Sequence, residues 1–308
     1  MVQLLKGLRR AELNMGSGRC AMSATPPQDN HRLATLFALG VAVVLPCVDA
    51  MVKVLVVDYP VVMVAWVRMG LIAIVLGAIG GAQIGVRMLR PVAWRLQLLR
   101  GAAAVLGTVM VFLGFRAMPL AECLAIVSIA PVLANLFSRF WLDEPGDAFS
   151  WAMALASFVG VLVIARPGFG VFAFDAIYPL VGAVGLAAFL TLTRAVSRRD
   201  DPRVTAFFGP FVAFILFSTA MATNWVAPKS AAHLALFLGI GLLAAGAQVL
   251  QTLAYRYGTT HRIAPYSYAS LLVSIAVGWL VFRATPDAWS ILGMSIIAAA
   301  GVAMVLRK

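Results

Sequence analysis

The sequence predicts an all-α membrane protein: ten transmembrane helices, arranged as two inverted five-helix repeats with both termini cytoplasmic. Three observations predict it. Apolar residues make up 62% of the 308 positions and charged residues only 12%, whereas soluble domains carry about 45–50% and about 25%. The apolar residues fall in runs close to the ~20 residues that cross ~30 Å of hydrocarbon. The chain also matches itself at an offset near 140 residues.

The elements follow in order. Residues 1–32 are polar and basic and contain no apolar stretch of the kind a secretory signal needs. They read as a disordered cytoplasmic tail, with Met15 and Met22 as alternative starts to Met1. Helices are expected over 33–53, 61–81, 95–114, 119–140, 149–166, 176–196, 204–224, 232–254, 263–283 and 287–306. Pro60, Pro91, Pro119, Pro202 and Pro286 fall in the gaps, where a missing N–H donor costs least. Strands are excluded because open sheet edges are not tolerated in lipid. The formal charge of +12 does not indicate a nucleic-acid partner, because Lys and Arg sit in short gaps between apolar runs rather than on one soluble face. Eighteen of the 24 Lys and Arg residues lie on the side of the termini, five on the other side, and Arg68 lies inside a span. That bias predicts cytoplasmic termini and a multi-pass inner-membrane location. Cys20, Cys47 and Cys123 form neither a metal-ligand nor a disulfide pattern.

In the self-match, Gly101 pairs with Gly241, Phe115-Arg116 with Tyr255-Arg256 and Asp147 with Asp287; at an offset of 142, Asp58-Tyr59-Pro60 pairs with Asp200-Asp201-Pro202. The repeats are expected over 33–168 and 169–308. An odd number of spans per repeat makes the halves run in opposite senses, as in secondary transporters with a site near the midplane.

Met118-Pro119-Leu120-Ala121-Glu122, Ala130-Pro131, Trp141-Leu142-Asp143-Glu144 and Arg166-Pro167-Gly168 resemble the EamA-type branch of the drug/metabolite transporter superfamily. Two departures stand out: Asp143 replaces a usual glycine, and Ala284 stands where the second repeat often carries an acid. The resemblance implies ten spans and transport of amino acids, riboflavin, S-adenosylmethionine or other metabolites.

No catalytic residues, metal ligands or cofactor are expected. Histidines 31, 233 and 261 are widely separated, and there is no Gly-rich phosphate loop. Arg68 is the most informative position, since a charge inside a span costs at least ~2.5 kcal/mol. It holds a substrate carboxylate in a hydrated cavity, or it belongs to an internal ion pair. Trp66 is a candidate cavity wall beside it. Asp49 and Lys53 share a helix face at i, i+4 and are expected to pair. Asp49 and Glu122 are the only acids expected to be buried, which makes them candidates for proton carriage or gating. Glu122 has a second reading as an acid at a helix start. Further pathway candidates are Ser128 and Asn135 on the fourth helix, Gln248 and Gln251 on the eighth, and Tyr266 and Ser270 on the ninth. Each also reads as interhelical glue. Small residues at Ala152-Ala156-Gly160 and Ser295-Ala299-Ala303 read as packing faces of the fifth and tenth helices, with a homodimer contact as a further expectation.

The leading expectation is a secondary carrier for a small polar or amphipathic metabolite, in which the two halves rock about a central cavity in the bilayer. The alternative is a membrane-embedded enzyme or lipid-handling protein. That would need titratable groups gathered at one depth, and Asp49, Arg68 and Glu122 are predicted at different depths.

Overall fold

A computed structural model describes residues 31–142, 148–166, 174–197, 199–257 and 260–306. Most of the predicted tail, together with Asp143, Glu144, Pro167 and Gly168, lies outside the described residues. The described residues form helices and no strand. In chain order the helices are α1 (His31–Asp58), α2 (Val61–Ile84), α3 (Trp94–Ala117), α4 (Leu120–Val127), α5 (Ala130–Leu142), α6 (Ala148–Ala165), α7 (Ile177–Val196), α8 (Pro202–Asn224), α9 (Ala231–Tyr257), α10 (Thr260–Phe282) and α11 (Ala288–Leu306). A 3₁₀ turn, Gly85–Leu89, follows α2. Among the described residues, seven helices are long and apolar enough to cross a membrane, counting Leu120–Ser138 as one. Three shorter apolar stretches, Trp151–Ala165, Ala269–Phe282 and Ala288–Ala303, accompany them.

Local chemistry sets the ends. Pro60 and Pro119 immediately precede α2 and α4, and Pro202 opens α8, where its fixed φ suits a first turn. Asp201 caps α8 by accepting from the Arg203 N–H at 2.8 Å. The helix α1 runs five residues past the predicted end at 53, because the charge of Lys53 is satisfied inside the protein and does not mark an exit to water. The predicted fourth helix is two pieces. Pro131 has no N–H to offer Val127, so the chain turns tightly through Ser128 and Ile129 before α5 begins.

The packing is symmetric under exchange of the halves. The main partner of α3 is α7, and their counterparts α9 and α1 pack in the same way. The pair α1–α10 matches α7–α5, and α2–α9 matches α8–α3. Two contacts match themselves, α2–α8 and α6–α11. Grouping α1, α2, α9, α10 and α11 against α3 to α8 respects this symmetry and leaves α2–α8 and α6–α11 as the main contacts between the two bundles. Each bundle takes helices from both sequence halves.

Glycine permits two of these crossings. A Cβ at Gly185 would lie 2.7 Å from the Gly107 nitrogen, where α7 meets α3. A Cβ at Gly160 would lie 2.8 Å from the Gly293 oxygen, where α6 meets α11. Of the two predicted small-residue faces, Gly160 is buried in this crossing, whereas Ala152, Ser295 and Ala299 are exposed.

Candidate functional site

The ionic groups gather toward the two ends of the bundle. The end at which α1 finishes is called distal here, and the end at which it starts proximal.

At the distal side, α1 places Asp49 and Lys53 one turn apart, yet they turn to different partners. Arg68 of α2 donates from Nη1 to Asp49 Oδ1 at 3.2 Å, each side chain keeping 15% exposure, and its guanidinium lies 5.6 Å from the Phe112 ring centroid. The internal ion-pair reading of Arg68 therefore holds. The expected Asp49–Lys53 pair is replaced, and Asp49 and Arg68 share one depth, contrary to the sequence expectation. Lys53 instead donates from Nζ to the backbone oxygens of Phe115 at 2.5 Å and Met118 at 2.6 Å. These are carbonyls at the end of α3 that the helix itself cannot satisfy, and a cation there also meets the negative pole of the helix. The Phe282 ring of α10 lies 5.6 Å from the same Nζ.

Glu122, in the first turn of α4, is buried at 4% exposure, and its Oε2 has no hydrogen-bond partner. Lys53, Arg166 and Asp287 are the charged side chains that act on it. Beside it Cys123 is fully buried. Arg166 and Asp287 pair at 2.6 Å, linking the end of α6 to the start of α11.

A second distal cluster holds the segment before α9. Asp58 pairs with Lys229 at 2.5 Å, and this hydrogen bond holds the lysine above its ordinary pKa. Tyr59 is buried. Its hydroxyl accepts from the Lys229 N–H at 2.7 Å and meets His233 Nδ1 at 2.9 Å.

The proximal end carries the counterpart. Asp200, at 6% exposure, accepts through Oδ1 from the N–H groups of Val92 and Ala93, at 2.7 and 3.2 Å. Its Oδ2 accepts from Gln97 Nε2 at 2.8 Å. Asp58 thus holds the chain entering α9, and Asp200 the chain entering α3. One turn on from Gln97, buried Arg100 donates to the Thr205 oxygen and lies 5.2 Å from the Phe189 ring centroid. Asp200 corrects the expectation that Asp49 and Glu122 are the only buried acids. The matched Asp58 and Asp200 segments pointed to it, as did polar Gln97 and Arg100 at i, i+3 in an apolar helix.

The remaining predicted residues are dispersed. Trp66 donates from Nε1 to Ser218 Oγ at 2.8 Å, and its ring lies 5.2 Å from that of Phe214, so it joins α2 to α8. Ser128 donates back to the Leu124 oxygen at 2.8 Å, beside the break before α5. Asn135 accepts from Arg194 Nη1 at 3.0 Å. Gln248 and Gln251 are half-buried on α9, and Ser270 is half-buried on α10. Tyr266 belongs to α10, but its side chain lies outside the described residues.

A duplicated multi-pass helical bundle, with charges set between helices from both of its halves, is the architecture of a membrane carrier. The chain belongs to the EamA-like transporter family, which matches residues 32–166 and again 174–307. It is 30% identical over 210 residues to the riboflavin transporter of Rhizobium johnstonii, covering 68% of this chain and 69% of the relative. It is 26% identical over 212 residues to the pseudopaline exporter CntI of Pseudomonas aeruginosa, covering 68% and 75%. The S-adenosylmethionine uptake transporter of Rickettsia bellii is 23% identical over 202 residues, covering 65% and 68%. A solved crystal structure aligns over 89% of this chain and 99% of its own with a TM-score of 0.63. At 18% identity that likeness concerns the fold alone.

Proposed function

We propose that the protein is a secondary transporter that carries a small polar or amphipathic metabolite across the inner membrane by alternating access. The observation that carries this reading is the double family match laid over a bundle in which charged groups of one repeat pair with the other, Asp58 with Lys229 and Arg166 with Asp287. Ten spans with cytoplasmic termini form part of the proposal. Of the end contacts, Arg166 with Asp287 crosses between the bundles and supports the alternation, whereas Asp58 with Lys229 and Asp200 with Val92 and Ala93 fasten chain segments within one bundle each. The bodies that move are the two interleaved bundles. Ser128, Asn135, Gln248, Gln251, Tyr266 and Ser270 are assigned to the pathway as polar side chains on the apolar helices α4, α5, α9 and α10 and on the turn after α4. Glu122 is assigned to proton carriage, since one buried carboxylate oxygen has no partner.

The names of the relatives put riboflavin and S-adenosylmethionine in the panel to test, and amino acids and nucleosides complete it, all as labelled solutes. Uptake into proteoliposomes is expected to saturate for one of them and to fall at least about tenfold in Glu122→Gln, the loss expected when one charge-bearing group leaves the cycle. Absence of saturable flux for the whole panel would count against the substrate class. Undiminished flux in the variant would remove Glu122 from the cycle.

A further inference from the structure

We propose that Lys53 is a gating residue: its ammonium closes the distal end by bonding the Phe115 and Met118 carbonyls of the opposite bundle, with the buried Glu122 carboxylate as the counter-charge that keeps it there. The inference rests on the alternating-access reading and names the group that holds one of its states.

Position comes first. Lys53 sits on α1, and its two acceptors end α3, so these bonds cross from one bundle to the other. The Arg68–Asp49 pair, by contrast, joins α1 to α2 within one bundle. Arg166 and Asp287 also cross, but their side chains are 24% and 47% exposed, and an exposed pair contributes little. Lys53 is therefore the more sheltered ionic tie across the distal end.

Chemistry comes second. Hydrogen bonds from a cation to helix-terminal carbonyls are among the stronger neutral–charged contacts. They form only while α1 and the turn between α3 and α4 are together. If the bundles parted at this end, three groups would lose their neighbour at once: the ammonium and both carbonyls.

The third argument is charge. Glu122 enters α4 four residues after Met118, and its unpartnered Oε2 is buried where a partner would be expected. The charged and titratable groups around the pair are Asp49 on α1, Arg68 on α2, Cys123 on α4, Arg166 after α6 and Asp287 before α11. Arg68 and Asp49 pair with each other, although Arg68 Nε keeps no partner, and Arg166 pairs with Asp287. Glu122 is left as the nearby carboxylate without an ionic bond of its own. Neutralising it, by a proton or by Gln, removes the attraction that holds Lys53 over the carbonyls and loosens the closure.

Cys123 provides a native reporter. It is fully buried on α4 with its sulfur against Val111 and Gly114 at the end of α3 that Lys53 holds, so parting of α1 from that end is expected to speed its reaction with an impermeant maleimide. The test uses full-length protein with Cys20 and Cys47 replaced by Ser, in intact cells and, separately, in inverted vesicles. Lys53→Met is expected to speed labelling from one side by roughly tenfold, the population shift that follows loss of one charge-assisted hydrogen bond. Glu122→Gln should speed it from the same side, and Lys53→Arg should leave it near the parent rate. The proposal is overturned if Lys53→Met and Glu122→Gln both label at the parent rate. It is also overturned if labelling rises equally from both sides, since that reports general loosening. If Lys53→Met does not reach the membrane, the near-isosteric Glu122→Gln carries the same prediction alone. The readout needs no solute, so a labelling response without flux for any compound of the panel would retain the latch and count against the substrate class alone.

Discussion

Arg68 and Asp49 show what a charge inside a span requires of its surroundings. Removing one partner leaves the other ionised where only 15% of it reaches solvent. Arg68→Ala is therefore expected to destabilise by about 3 kcal/mol, the lower end for a broken buried pair because both side chains keep some exposure. The double change Asp49→Leu/Arg68→Met should recover most of that loss, because no charge is left stranded. Chemical denaturation in detergent micelles would measure both; equal losses in the single and double variants would mean that the pair is not the source. Asp200 is the second test at this scale. Its carboxylate accepts from two backbone N–H groups and Gln97 at the start of α3. Asp200→Ala should cost about 2 kcal/mol, a lost cap together with stranded donors. Asp200→Asn, which keeps an acceptor oxygen, should cost clearly less. Arg68 was visible in the sequence because any charge in an apolar run is conspicuous. Asp200 was legible only indirectly, through its match to Asp58 and through polar Gln97 and Arg100 in an apolar helix, because a loop acid by itself gives no sign of which distant helix it will cap.

At the scale of helices, the apolar runs and their proline punctuation placed most elements to within a few residues, since lipid thickness fixes length and missing donors fix ends. Two features escaped. One was the break at Ser128 and Ile129, which depends on how the turn before Pro131 finds other partners. The other was the overrun of α1, which depends on carbonyls contributed by α3. The start of α11 supports a prediction about pH. The Ser290 N–H donates to Asp287 Oδ1 at 2.8 Å, and this contact, with the Arg166 guanidinium adding to it, holds the Asp287 carboxyl below the usual carboxylate range. A depressed folded-state pKa adds stability above the unfolded value and loses it as pH falls through the folded one. The melting temperature of wild type should therefore exceed that of Asp287→Asn by a constant margin from about pH 8 to about pH 5, and the margin should shrink below about pH 4. A margin that disappears already near neutrality would contradict this assignment.

At the scale of the whole molecule, the duplication was legible in matched residues such as Gly101 and Gly241, but the interleaving was not. Sequence offset says which helices correspond, whereas packing decides which of them move together. The distinction can be tested directly. Gly40 on α1 lies against Leu250 on α9, a contact between sequence halves but inside one bundle. Arg166 and Asp287 also come from different halves, and they join the two bundles at the distal end. In a background with Cys20, Cys47 and Cys123 replaced, a short bis-thiol reagent can bridge Gly40→Cys to Leu250→Cys, or Arg166→Cys to Asp287→Cys. If the bundles are the moving bodies, the first bridge should leave flux of the transported solute within about twofold of the unbridged protein, because it joins parts of one body. The second should reduce flux by at least about tenfold, because it fastens the end that must open. If the sequence halves moved as bodies instead, both bridges would arrest transport, since each ties one half to the other. Arrest by the α1–α9 bridge is therefore the outcome that would return the moving units to residues 33–168 and 169–308.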